Sequence, residues 1–178
     1  MKKTITVFGS SIPQDGDEEF AVAYKLGCLL ALRGFNVNTG GYAGIMEAVS
    51  KGVVKNGGKA TGITLQYVNS HANKYVTEEV KCKTLFDRIT QLIERGDAYI
   101  ILQGGTGTFL ELAAVWEFMN KNLIGVKPIA CHSLMWKEIG SIVDKQIERE
   151  SRVSGLVKYF DDVEALVNYI ARELVIKT

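Results

Sequence analysis

A glycine-rich segment followed by a carboxylate offers the clearest opportunity for chemistry in this chain. The segment covers residues 103–108, QGGTGT, and Glu111 lies about one helical turn further on. An apolar run at residues 98–102 precedes it, and a helical pattern over residues 109–121 follows it. A strand, a glycine turn and a helix in this order aim backbone N–H groups and the positive end of the helix dipole at one point. Because phosphate is the usual occupant of such a point, the segment predicts binding of a phosphorylated small molecule.

Glu111 has two interpretations at this stage. Thr108 and Glu111 have the spacing S/T-x-x-E of a capping box, in which the glutamate accepts a hydrogen bond from the N-cap amide. Alternatively, the carboxylate takes part in chemistry on the ligand, because it lies about one helical turn from the predicted phosphate position. The local pattern alone favours the cap.

The elements that must position these residues alternate between strand and helix patterns along the chain. Strands are predicted at residues 4–8, 35–38, 59–65, 97–102, 128–131 and 157–160. Helices are predicted at residues 15–33, 45–55, 77–95, 109–121 and 134–149, with a last helix capped by Asp161. Thr77 is the predicted N-cap of the third helix, after a polar loop at residues 66–76. This alternation predicts one α/β domain over residues 1–178, with a mainly parallel sheet covered on both faces.

Three glycine-bearing turns follow the first, second and fourth predicted strands, at residues 9–11, 40–44 and 104–107. All three fall at the carboxyl edge of a parallel sheet, where open α/β sheets bind ligands. Together they favour a phosphate or nucleotide site over ordinary turns. A nicotinamide site is disfavoured, because the first turn lacks G-x-G-x-x-G and the second strand ends in Asn38 and Thr39 rather than an acidic residue.

Composition excludes several other classes. The net charge is +1 and the basic residues are scattered, so we expect neither a nucleic-acid partner nor a membrane surface. Cys28, Cys82 and Cys131 fit neither a disulfide framework nor a zinc pattern, which favours a reducing cytoplasm. His71 and His132 are the only histidines, which argues against a histidine-rich metal site. We expect no signal peptide and no membrane-spanning segment.

Three motifs resemble those of the LOG ("Lonely Guy") proteins, long mislabelled as lysine decarboxylases. Residues 103–111, QGGTGTFLE, resemble the signature PGGxGTxxE; residues 7–11, VFGSS, resemble the first turn of the family; and residues 39–48, TGGYAGIMEA, resemble its second glycine motif. Arg88 lies fifteen residues before Gln103, where the family's M-x-x-R-K segment places a catalytic arginine. Nothing in the chain marks a Schiff-base lysine or a pyridoxal phosphate site.

The resemblance implies a Rossmann-like three-layer α/β sandwich, usually a homodimer. The implied activity is hydrolysis of the N-glycosidic bond of nucleoside 5′-monophosphates, including cytokinin ribotides, to a free base and ribose 5-phosphate, without metal or organic cofactor. The signature proline is Gln103 here, and the lysine beside the arginine is Ile89. The family has a pair of adjacent glutamates at the positions of Leu110 and Glu111, so only the second of the pair is present. Related proteins bind nucleotides or carry molybdenum cofactor without hydrolysis, and that alternative stays open.

The residues that follow from the turns and the resemblance form one candidate site. Arg88 is either a solvated flank residue or a guanidinium that reaches the ligand, and the resemblance favours the second role. Glu47 is equally compatible with helix capping and ribose contact. For Met46, the sequence favours core packing over a wall against the base. The candidate catalytic residues are Glu111 and Arg88, and the candidate binding residues are Gly9, Ser10, Ser11, Gly40, Gly41, Gly44, Met46, Glu47, Gly104, Gly105, Thr106, Gly107 and Thr108.

The helix after the signature has almost no polar face. Such a helix must be buried, either as a central core helix or against a second subunit, and we expect the second subunit.

Overall fold

Parallel strands with helical crossovers make up the structure, a computed structural model that describes residues 2–66 and 71–176. Within these ranges, the sheet consists of β1 Thr4–Phe8, β2 Asn36–Thr39, β3 Ala60–Leu65, β4 Glu78–Cys82, β5 Ala98–Ile101, β6 Ile129–His132 and β7 Val157–Phe160. The helices are α1 Glu18–Leu32, α2 Ile45–Lys55, α3 Leu85–Glu94, α4 Thr106–Asn120, α5 Leu134–Arg149 and α6 Val163–Ile176. The predicted Rossmann-like three-layer α/β sandwich is confirmed.

The strand order is β4-β3-β2-β1-β5-β6-β7, and every described pair is parallel. The chain therefore builds outward from β1 to one edge and then returns to β5 on the other side of β1. Phe8 of β1 pairs with Ile101 of β5, so the loops that leave these two strands diverge from one point. A crevice at such a switch point is where open α/β sheets bind ligands.

Apolar side chains on both faces of the sheet hold the helices in place. Ile5 and Val7 belong to the core beneath α1, α2 and α6, whereas Phe8 belongs to the core beneath α3, α4 and α5. Strands buried on both faces are continuously apolar, which explains the run at residues 98–102.

The predicted helix at residues 77–95 is wrong in its first half. Residues 78–82 form β4, which pairs with β3 from Thr61–Glu78 to Leu65–Cys82 at the edge of the sheet. An edge strand carries charged residues that discourage further pairing, and the same charges resemble a solvated helix in a sequence. Thr77 instead binds the backbone of Ala60 through its hydroxyl.

Helix α3 starts at its own capping box. The N–H of Asp87 donates to the Thr84 hydroxyl (3.1 Å), and the N–H of Thr84 donates to the Asp87 carboxylate (3.1 Å). The cap of α6 lies one residue later than predicted. The carboxylate of Asp162, rather than that of Asp161, accepts a hydrogen bond from the N–H of Ala165.

Residues 67–70 of the predicted loop lie outside the described residues.

The other predicted elements agree with the structure within about three residues at each end. None of the helices in the ranges 2–66 and 71–176 has the length and apolar character needed to cross a bilayer.

Replacing Thr84 with alanine should lower the free energy of unfolding by about 1 kcal/mol, because the cap of α3 is lost. Urea denaturation of the variant measures this difference. Lys83→Ala changes the exposed neighbouring residue without touching the cap and is the control. Equal stability of the two variants would show that α3 does not depend on the capping box.

Candidate functional site

A cleft of about 320 Å³ opens at the carboxyl edge of the sheet, beside the switch point. It is lined by the first glycine turn, the second glycine turn, the start of α4 and one residue of α3. The lining residues are Gly9, Ser10, Ser11, Tyr42, Met46, Arg88, Gly105, Thr106, Gly107, Thr108 and Glu111. Most of the predicted site residues therefore lie around one cavity.

The first turn of α4 forms one wall of the cleft. The helix begins at Thr106 with Gly105 as its N-cap, and no side chain caps it. The first N–H groups of a helix have no acceptor within the helix, so this turn offers donors and the positive end of the dipole to an anion. Gly104 permits the turn, since a Cβ there would lie 2.1 Å from Oγ1 of Thr108.

The first glycine turn is fixed between the other two. The N–H of Ser10 donates to the carbonyl of Gln103 (2.9 Å), and the carbonyl of Ser10 accepts from the N–H of Ile45 (2.9 Å). Gly9 gives room for the side chain of Ile45, which a Cβ would approach to 2.5 Å. These contacts hold Ser10 and Ser11 opposite the start of α4.

The capping-box interpretation of Glu111 is wrong. Because α4 begins at Thr106, Glu111 is its sixth residue and lies in the second turn rather than at the N3 position of a cap. Its Oε1 instead accepts from Nη1 of Arg88 at 3.3 Å, and both side chains are about nine-tenths buried. The two residues that the resemblance assigned to catalysis thus form an ion pair in the wall of the cleft.

Arg88 reaches Glu111 because two other groups hold its guanidinium and a glycine leaves room for it. Its Nε donates to the carbonyl of Ile63 on β3 at 2.7 Å. The centroid of the Tyr42 ring lies 5.6 Å from the guanidinium carbon, within cation–π range. Nη2 occupies the space beside Gly40, where a Cβ would be only 1.8 Å away. Arg88 is therefore a fixed part of the site rather than a solvated flank residue.

Burial raises the pKa of Glu111 to about 7, although the neighbouring Arg88 acts in the opposite direction. Near neutral pH the carboxyl group is thus divided between its ionised and protonated forms. A group poised in this way can exchange a proton with a ligand at the working pH, which is typical of general acids and bases.

Several predicted site residues do not line the cleft but support it. Gly40 makes space for Arg88, and Gly104 makes space for Thr108. Gly41 and Gly44 have positive φ values of 79° and 71°, which glycine adopts without strain. Glu47 is half-buried in the first turn of α2 and is not among the lining residues.

One residue that holds the second glycine turn in place, Asn73, is not predicted from the sequence. Asn73 binds the second glycine turn through its side chain, with Nδ2 donating to the carbonyls of Gly41 (3.1 Å) and Tyr42 (2.9 Å). A single asparagine in a polar loop has no distinguishing pattern, so only the structure reveals this contact. Within the described residues, no group of three or more His, Cys, Asp or Glu side chains is placed to hold a metal ion.

The fold and the cleft define a Rossmann-like α/β protein with a glycine-lined site at the switch point of its sheet. Residues 2–167 match the SLOG cluster4 family, and the chain belongs to that family. The resemblance to LOG proteins drawn from the sequence motifs is thereby confirmed.

A relative from Mycobacterium marinum supports the same assignment. It is named cytokinin riboside 5′-monophosphate phosphoribohydrolase and is 31% identical over 116 residues, which cover 64% of this chain and 62% of the relative. The chain thus aligns with less than two thirds of that relative's length.

Two solved structures share the fold over nearly the whole chain. The molybdenum cofactor binding protein of Rippkaea orientalis has a TM-score of 0.78 and 24% identity, covering 100% of this chain and 99% of that one. The molybdenum cofactor carrier protein of Chlamydomonas reinhardtii has a TM-score of 0.77 and 20% identity, covering 98% and 99%. At these identities the similarity concerns the fold alone.

Carbon-13 NMR titration of the Glu111 carboxyl should give a pKa of about 7 in the free protein. In Arg88→Met the pKa should rise further, because the lowering influence of the guanidinium is removed while burial remains. Arg95→Met, which removes an exposed arginine at the end of the same helix, should leave it unchanged. A pKa near 4.5 in the wild type would contradict the burial argument.

Proposed function

We propose that this protein hydrolyses the N-glycosidic bond of nucleoside 5′-monophosphates. The observation that carries the proposal is the buried pair of Arg88 and Glu111 in the same cleft as the glycine turn at the start of α4. The relative named as a phosphoribohydrolase supports the same chemistry. This one cavity offers donors for the phosphate group of the nucleotide and a carboxylate for the adjacent sugar.

In this proposal, the phosphate binds at the first turn of α4. Backbone N–H groups and the hydroxyls of Thr106, Thr108, Ser10 and Ser11 supply donors to it. The ribose then extends from the phosphate toward Glu111, which lies on the next turn of the same helix.

Glu111 acts in its ionised form. The carboxylate stabilises the oxocarbenium character that develops at the anomeric carbon when the bond to the base breaks, or removes a proton from the attacking water. Arg88 orients the carboxylate and presents its remaining donors to the ligand. No step of this scheme uses a metal ion or an organic cofactor.

Release of free base from AMP, GMP, CMP, UMP and a cytokinin ribotide, measured by chromatography, tests the activity directly. Glu111→Gln should lower the rate by at least about 10²-fold, because the amide cannot ionise. For the wild type, kcat/KM should rise with pH through about 7, as Glu111 loses its proton, and then level off.

Glu164→Gln removes an exposed carboxylate from α6 and should retain the full rate. Absence of base release from all five nucleotides would exclude the hydrolase. Equal rates in Glu111→Gln and the control would exclude Glu111 as the reacting carboxylate.

A carrier that binds a nucleotide or molybdenum cofactor without turnover is the second candidate. The molybdenum cofactor binding protein and the molybdenum cofactor carrier protein that share its fold favour this function. The outcome that identifies a carrier is tight binding in the cleft without release of product from any ligand.

We also propose that the protein forms a homodimer through a groove of about 390 Å³ between α4 and α5. Phe109 and Ile142 at this groove are 43% and 71% exposed, although both are large and apolar. In the described part of the chain, Nε1 of Trp116 and Oδ1 of Asn120 are buried beside the groove without hydrogen-bond partners. A second copy of the chain would cover the exposed side chains of Phe109 and Ile142.

Ile142→Glu should convert the dimer to a monomer, because it places a charge in the proposed interface, and light scattering after size exclusion measures the mass. Leu32→Glu makes the same change on α1 at a residue that is also 71% exposed and should leave the dimer intact. A monomeric wild type would exclude the dimer.

The cysteines bear on the compartment. Cys28, Cys82 and Cys131 are all free thiols. Free cysteines are typical of a reducing environment, so we propose a cytoplasmic location.

A further inference from the structure

Residues 73–76, which precede β4, contact the second glycine turn through Asn73. The backbone N–H of Asn73 donates to the carbonyl of Gly41 (2.8 Å), in addition to the two side-chain bonds to Gly41 and Tyr42. The side-chain oxygen of Asn73 accepts from the N–H of Tyr75 (3.1 Å). Both ends of the amide are therefore used, and the turn and the segment are joined at one residue.

Tyr42 is held at two points as a result. Its carbonyl is bound by Asn73, and its hydroxyl oxygen accepts from the N–H of Leu65 at the end of β3 (2.7 Å). Between these anchors, the ring lies against the guanidinium of Arg88. The hydroxyl oxygen is anchored at the end of β3, and Tyr42 lines the cleft between its two anchors.

The lining of the cleft makes this ring distinctive. Among the residues that the structure describes, the lining apart from Tyr42 and Met46 consists of glycines, hydroxyl side chains and the ion pair of Arg88 and Glu111. Within the described ranges 2–66 and 71–176, Tyr42 is thus the one aromatic residue that lines the cavity. A planar heterocycle stacks on an aromatic ring with a gain that an aliphatic wall does not provide.

We propose that Asn73 is a positioning residue of the site: it holds the Tyr42 ring against Arg88 as the surface on which the heterocycle of the ligand stacks. The identity of that ligand as a nucleoside monophosphate rests on the proposed function. The positioning itself depends only on the contacts of Asn73, Tyr42 and Arg88.

Asn73→Asp tests the proposal with almost no change of shape. The carboxylate keeps the acceptor for Tyr75 but places an oxygen where Nδ2 donated to two carbonyls, so the turn is repelled rather than held. Asn56→Asp is the matched control, since Nδ2 of Asn56 also donates to a backbone carbonyl, that of Gly52 (2.9 Å), at the far end of α2.

Binding of AMP and of ribose 5-phosphate is measured by calorimetry in a Glu111→Gln background, so that AMP is not consumed. Asn73→Asp should weaken the binding of AMP by about tenfold, within the range that loss of one base–aromatic stack produces, and leave the binding of ribose 5-phosphate unchanged. Asn56→Asp should change the affinity for neither ligand. An equal loss of affinity for both ligands, or no loss of affinity for AMP, overturns the stacking role.

A second readout needs no ligand. The Nε–H resonance of Arg88 reports the bond to Ile63 and the ring current of Tyr42 in the free protein. In Asn73→Asp it should move toward its position in Tyr42→Leu, and it should stay in place in Asn56→Asp. A resonance that does not move overturns the positioning role, whatever binds.

The two readouts separate the hypotheses. If the protein binds neither AMP nor ribose 5-phosphate while the resonance moves, the proposed function and the stacking role fail and the positioning stands. If Asn73→Asp does not fold, Asn73→Ser, which removes the two donors without adding a charge, replaces it with the same expectations.

Discussion

The buried pair of Arg88 and Glu111 is the interaction on which the rest of the site depends. Two opposite charges removed from water require close partners, because an unpaired buried charge is strongly unfavourable. Arg88 meets this requirement with the carboxylate of Glu111, the carbonyl of Ile63 and the ring of Tyr42. The guanidinium stabilises the ionised carboxylate, but burial has the larger influence and keeps the pKa of Glu111 raised.

Three glycines leave room for side chains at and beside this pair. Gly40 makes space for the guanidinium of Arg88, Gly104 for the side chain of Thr108 on α4, and Gly9 for the side chain of Ile45 on α2. The parallel sheet brings the glycine turns to one edge, since β1 pairs with both β2 and β5. The first turn of α4 directs its free N–H groups into the cleft at this edge, and the ion pair of Arg88 and Glu111 lies one helical turn further along α4.

Part of the fold and of the candidate site could be predicted from the sequence, and part could not. Residues 98–111 predicted a strand, a turn and a helix because their signals are local: an apolar run, glycines and a helical pattern. The sequence predicts a helix over residues 78–82, because their charged composition matches a solvated helix as well as a sheet edge. The strand β4 forms there only through its pairing with β3. The N-cap of α3, Thr84, has a local signal in the sequence, namely a capping box with Asp87. The prediction of a helix that begins at Thr77 obscures this signal.

The sequence by itself determined the class of fold and the edge of the sheet at which the cleft opens, and its resemblance to LOG proteins indicated Arg88 and Glu111 as candidate site residues. Periodicity, glycine placement and motif spacing are properties of neighbouring residues, so they can be read along the chain. Only the tertiary structure decided that Glu111 pairs with Arg88 rather than capping α4, and that Asn73 holds the turn of Tyr42. These contacts join residues 23 and 31 positions apart, and their partners are set by the packing of helices on the sheet.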